Sequence, residues 1–122
     1  MRATDPSSPL RPEYVDSCLS LWLVTGKELY RERVREMFDR QERYCKVAGG
    51  YTVVREVTAS PVMLGHLMPA YWFIENAKHY YLLFAEARRF DYGSAYLTTE
   101  GNVLRGLLHP AAPPDTGGPV GK

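Results

Sequence analysis

Cysteine is scarce. Cys18 and Cys45 alone make neither a CxxC pair nor a disulfide framework. Each falls in a helical apolar pattern, so two buried free thiols is the plain reading, and their mutual distance stays open. Long basic runs are missing too, and the formal net charge is only +1. That excludes a phosphate-tracking stripe and nucleic-acid binding by counterion release. No apolar run is clean enough to cross a bilayer. The most apolar stretch, Met68 to Ala87, carries Glu75, Lys78 and His79 within it. Residues 1–9 are polar with two prolines and lack the apolar stretch of a signal peptide. No N-x-[ST] acceptor occurs. His66, His79 and His109 lack zinc spacing, and HExxH is absent. There is no GxGxxG, no phosphate loop and no Gly-x-Ser-x-Gly elbow.

What is present is helical and rich in tyrosine. Nine Tyr residues exceed what a minimal core needs, since each hydroxyl must find water or a partner. They suit a groove lined with polar-tipped rings, or a core that packs against further chain. Residues 1–9 read as a disordered lead, with order beginning at Leu10. A first helix is expected over Pro12–Thr25, with Pro12 at the tolerated first position and Gly26 as the left-handed stop. A second starts near Glu28. Its Tyr30, Val34, Met37, Phe38, Gln41 and Cys45 recur at three and four residues, against a charged outer face. The two make an αα-hairpin. Gly49-Gly50 ends it, and Tyr51 to Val57 favours an extended segment. Ala59 to Leu67 reads as a connection broken by Pro61.

A third helix, from about Pro69, is apolar on nearly every side. Such a helix is buried and needs neighbours on both flanks, yet this chain supplies one hairpin. That mismatch points to part of a repeated helical-pair array. Tyr96 to Thr99 is β-prone, and the Pro/Gly-rich tail from His109 reads as disordered. The domain reading is a lead over 1–9, a folded fragment over 10–108 and a tail over 109–122.

Three carboxylates offer chemistry, each with a plain alternative. Glu75 sits mid-helix, where an unpaired charge is expensive. It either pairs with Lys78 or a distant Arg, or faces a polar pocket. Glu13 is an ordinary first-turn acid favouring the helix dipole, or a positioned general base with Arg11 holding substrate or adjusting its charge. Glu100 closes a polar strand end, or joins Thr oxygens suited to a hard cation such as Ca²⁺.

Several strings then carry a resemblance. Leu10-Arg11-Pro12-Glu13, Asp16-Ser17, Thr25-Gly26 and Tyr30-Arg31 come first. Gly49-Gly50-Tyr51, Glu75-Asn76-Ala77-Lys78 with Tyr81-Leu82-Leu83-Phe84, and Thr99-Glu100 follow in order. Together, over Leu10 to about Leu104, they resemble the last part of the catalytic domain of class I α-mannosidases, glycoside hydrolase family 47. The resemblance implies an all-α fold with short β segments: the last helical-hairpin repeats of a partial (αα)₇ barrel. It also implies calcium-dependent, inverting cleavage of α-1,2-linked mannose from high-mannose N-glycans of glycoproteins, in the lumen of the endoplasmic reticulum or Golgi.

By carry-over, Glu13 is the general base, and Arg11 lies beside it in the pocket. Tyr71 presents a ring to the sugar. Glu75 hydrogen-bonds the sugar or calcium-bound water. Thr99 holds Ca²⁺ through its hydroxyl and carbonyl, and Glu100 orders the surrounding waters. The general acid belongs to upstream repeats expected to be missing partners of this chain, so the isolated fragment is expected to be inactive. Departures from the family pattern are Pro69, Ala70, Asn76 and Gly101-Asn102-Val103. Of these, Pro69 and Gly101-Asn102-Val103 keep open a non-catalytic glycan-binding relative of the quality-control type. A plain helical interaction module is a third reading; it expects Arg11, Glu13, Glu75 and Thr99 to be scattered.

Overall fold

Pro12 and Gly26 bracket the first helix of a computed structural model that describes residues 4–86, 90–92 and 95–105. Helix α1 spans Glu13–Thr25 and buries Val15, Cys18 and Leu19. Pro12 is its N-cap rather than its first residue. Gly26 adopts φ 67° and donates its N–H to the Trp22 carbonyl at 2.8 Å. That left-handed geometry suits glycine. Helix α2 follows at once over Glu28–Tyr44. Pairs on its outer face, Glu28–Arg31 at 2.8 Å and Glu36–Arg40 at 2.5 Å, are spaced three and four residues apart. Each contributes only tenths of a kcal/mol, about 0.2–0.5. Its inner stripe buries Val34 and Gln41.

The extended region is more broken than expected. Lys46–Val47 (β1) pairs with Gly50–Tyr51 (β2), and Val54–Glu56 (β3) pairs with Met63–Leu64 (β4), both antiparallel. The connection therefore contains a strand. Val54 also pairs with Ser8, with N···O distances of 2.8 and 2.9 Å, and the Val57 N–H donates to the Pro6 carbonyl at 2.9 Å. Within the lead over 1–9 that was expected to be disordered, Pro6 and Ser8 are thus paired, and residues 1–3 lie outside the described residues. Ser8 and Pro6 find backbone partners there, which a local polar composition does not reveal. The tail over 109–122 lies outside the described residues.

The third helix opens with a π-helical segment, Trp72–Asn76, in which the Ala77 N–H reaches back five residues to the Trp72 carbonyl. It runs on as α3, Ala77–Phe84. Both α1 and α2 pack against α3. The shared core contains Leu10, Val15, Leu19, Val34, Trp72, Tyr80 and Leu83. Trp72 stacks on Tyr51 at 3.7 Å between centroids. Trp72 Nε1 and the Tyr80 hydroxyl both donate to the one Gln41 amide oxygen, at 2.8 and 3.0 Å. Burial explains why Gln41 occupies an apolar-stripe position: it satisfies two buried donors.

The third helix is not covered on every side. Phe73, Ile74 and Tyr81 are each about half exposed, at 47%, 52% and 54%. Finally, Ala95–Leu97 (β5) pairs antiparallel with Val103–Arg105 (β6) through the turn that holds Thr98 to Asn102. The molecule is thus helix-rich with short strands, and no helix among the described residues is long and apolar enough to cross a membrane.

A conformational cost sits just before α1. Leu10 has φ 60°, unusual for a residue with a Cβ, and costs about 1–2 kcal/mol. Its side chain is 2% exposed and sits in the core, so burial offsets the strain.

Candidate active site

Three elements bring carboxylates together. Glu13 opens α1, Glu75 lies in the π segment, and Glu100 lies in the β5–β6 turn. Glu75 is only 5% exposed, while Glu13 and Glu100 are exposed. Burial pushes the Glu75 carboxyl above its ordinary range. The charges of Glu100, Glu13 and Asp16, and a hydrogen bond to Glu100, push it the same way. Low dielectric and like charge both disfavour the ionised form.

The β5–β6 turn is clamped against this helix. The Lys78 ammonium donates to the Gly101 carbonyl. The pairing of Glu75 with Lys78, one of the two plain alternatives, is therefore not what forms, and no ion pair from Glu75 occurs among the described residues. Gly101 has φ 70°, and a Cβ there would meet the Ile74 carbonyl oxygen at 2.6 Å. So close an approach requires glycine at this turn. Within the turn, Asn102 N–H donates to the Thr98 hydroxyl at 3.0 Å and Gly101 N–H to the Thr98 carbonyl at 2.9 Å. Thr99 is exposed, and neither its hydroxyl nor its carbonyl is engaged among the described residues. These two oxygens are of the type a hard cation takes. No group of three His, Cys, Asp or Glu side chains that could hold a metal occurs among the described residues.

Arg11 lies beside Glu13 at 3.7 Å, both well exposed. The Tyr71 hydroxyl donates to the Pro9 carbonyl, which fixes that ring near the start of α1. A cleft of about 720 Å³ lies elsewhere, with Met37, Gln41, Cys45 and Val62 among its walls. It holds no carboxylate, so the acid cluster is the better place for acid–base chemistry.

Asp16 and His79 belong to the same neighbourhood and were not singled out from the sequence. His79 is fully buried, 3.6 Å from Asp16, with both ring nitrogens unpartnered among the described residues. Burial holds the imidazole below its ordinary value; Asp16 pulls it up and Lys78 pulls it down. The available signal was spacing: Asp16 follows Glu13 by three, and His79 follows Glu75 by four.

A stability test follows. The raised Glu75 carboxyl stabilises the fold when protonated, fully so below its ordinary value near 4.5, and that contribution fades as pH rises through the raised value. His79 has the opposite sign: its contribution is present above the ordinary imidazole value of 6.5 and fades as pH falls. Glu75→Gln should therefore raise the urea midpoint at neutral pH. It should also remove the downward slope with pH, leaving the upward slope from His79. A lower midpoint at neutral pH in the metal-free variant would contradict the electrostatic picture.

Comparison with known proteins identifies the family. The glycosyl hydrolase family 47 model matches residues 1–106. Human mannosyl-oligosaccharide 1,2-alpha-mannosidase IC is 34% identical over 95 residues, covering 78% of this chain and 15% of the human protein. The Xenopus laevis ER degradation-enhancing alpha-mannosidase-like protein 3 is 32% identical over 112 residues, covering 88% of this chain and 12% of that one. The structure of an alpha-1,2-mannosidase from Trichoderma reesei superposes with a TM-score of 0.67 at 26% identity, over 84% of this chain and 22% of that one. This chain spans 12% to 17% of the length of such curated relatives. With the family pattern running through both hairpin helices, the π segment and the acidic turn, the chain belongs to glycosyl hydrolase family 47.

Proposed function

We propose that this chain is the base-bearing portion of a calcium-dependent, inverting α-1,2-mannosidase that trims high-mannose N-glycans. Its helices form the last repeats of an (αα)₇ barrel, and the general acid is supplied by the rest of that barrel. The observation that supports the reading is the approach of Glu13, Glu75 and Glu100 from three separate elements, with Glu75 buried.

In this chemistry Glu13 accepts a proton from water as that water attacks the anomeric carbon. An acid on the opposite face protonates the departing oxygen. Arg11 steadies the sugar beside Glu13. The Tyr71 ring offers a stacking face, and Glu75 hydrogen-bonds a sugar hydroxyl or an ordered water. Thr99 would hold Ca²⁺ through its hydroxyl and carbonyl, with Glu100 ordering waters around it; the free oxygens of Thr99 fit a hard cation. Bound there, the ion supplies charge stabilisation and orientation of sugar oxygens. The compartment that goes with this substrate is the lumen of the endoplasmic reticulum or Golgi.

By itself the chain should release no mannose from an α-1,2-linked oligomannose with Ca²⁺ present. The direct test is a chimera in which this chain replaces the matching segment of the Trichoderma enzyme. Calcium-dependent mannose release supports the reading. A second reading, a glycan-binding quality-control relative, rests on the departures at Pro69 and Gly101-Asn102-Val103. A folded chimera that binds oligomannose without cleaving it would favour that one. A folded chimera that does neither removes both.

A further inference from the structure

We propose that Asn76, together with Tyr71, is a positioning residue for Glu13, and that the π segment exists in register to make this possible. The Asn76 side-chain amide is fully buried and donates to the Leu10 carbonyl at 2.7 Å. The Tyr71 hydroxyl donates to the carbonyl of Pro9, the preceding residue. Two adjacent carbonyls are thus gripped from one helix. The stretch they hold is the one that needs holding: Leu10 carries φ 60°. Arg11, preceding Pro12, is confined to extended backbone, and Pro12 fixes its own φ. With Pro9 and Leu10 fixed, little freedom remains before the first residue of α1. That residue is Glu13.

Tyr71 and Asn76 are five residues apart. At 3.6 residues per turn they would face different directions. A π turn winds more residues per turn and brings residues five apart nearer to one direction, and the Ala77-to-Trp72 hydrogen bond is of that type. An α-helical turn here would aim one of the two side chains away from the carbonyls. The same turn keeps Glu75 buried next to Asn76.

The catalytic meaning rests on Glu13 being the base; the clamp itself does not. The test uses the 122-residue chain and NMR of its native state. The amide–Hα coupling and carbon shifts of Leu10 report its φ. Asn76→Ala should abolish the left-handed signature of Leu10 and displace the Arg11 and Glu13 amide signals, while amides of 77–84 keep their positions. Asn76→Ser, which retains a shorter donor, should restore the signature in part. Leu10 unchanged in folded Asn76→Ala overturns the proposal. Should that variant not fold, Tyr71→Phe is read instead. It loses one hydroxyl only, and should displace the Pro9 carbonyl carbon and weaken the Leu10 signature; unchanged signals at both also overturn it. A chimera whose turnover ignores Glu13, beside a clamp that behaves as described, would remove the assignment of the base and leave the clamp standing.

Discussion

Glu13→Gln in the Trichoderma chimera is expected to lower kcat by roughly 100- to 10,000-fold, the usual range for removing a positioned base. The amide keeps the shape of the carboxyl and can still hydrogen-bond, so KM should move little. A change in kcat and kcat/KM together, with KM held, marks an interaction used in the transition state. Steady-state assays on α-1,2-linked mannobiose measure both. The expectation rests on placement. Glu13 is exposed at the edge of the cluster, and among the described residues Arg11 at 3.7 Å is its one ion-pair partner. An exposed pair of this kind is worth at most about 1 kcal/mol, so it leaves the carboxylate available to water. Glu75 is poorly suited to the same role, because burial and three acidic neighbours favour its protonated form. Turnover by Glu13→Gln within tenfold of the parent chimera would move the base elsewhere.

The largest loss of stability should come from Trp72→Ala. Trp72 is 4% exposed, stacks on Tyr51 at 3.7 Å and meets Phe73 edge-on at 5.0 Å. Truncating a buried Trp typically costs about 3–5 kcal/mol through lost transfer and the cavity left behind. Small domains have only about 5–15 kcal/mol in all, so this variant should be largely unfolded at moderate urea. Trp72→Phe separates the causes. It keeps a ring between Tyr51 and Phe73 but loses the N–H donated to Gln41. Its cost should be nearer 1 kcal/mol, less if Gln41 remains satisfied by Tyr80. Urea denaturation followed by far-UV circular dichroism measures both. A midpoint for Trp72→Ala close to that of Trp72→Phe would mean that ring packing is not what holds β2 to the third helix.

The helical hairpin was legible because its signals are local. Pro12, Gly26 and the three-and-four spacing of the α2 stripe act over a few residues, and the observed bounds fall where they point. The pairing of Ser8 with Val54 was not legible, since its backbone bonds join residues 46 apart in sequence and leave no periodic trace. The π turn was hidden for another reason. A helix apolar on most of its circumference has no contrast between faces, so 3.6 residues per turn cannot be told from a wider winding. Lys78 misled in a specific way: three residues after Glu75, it offered an obvious local partner, while its actual acceptor, Gly101, comes from a distant turn. The candidate acids could be named singly from the sequence. Their approach to one another depends on contacts between α1, the third helix and the β5–β6 turn, which only the folded chain supplies.

The two grips on Pro9 and Leu10 span 62 and 66 residues. During synthesis at ~5–20 residues per second, the anchors for that stretch trail it by roughly 3 to 13 s. Throughout that interval Leu10 has no donor to compensate its unfavourable backbone, and the beginning of α1 has no reason to settle in its final direction. Helix α1, made before its anchors on the third helix, is therefore among the last parts to be correctly aimed.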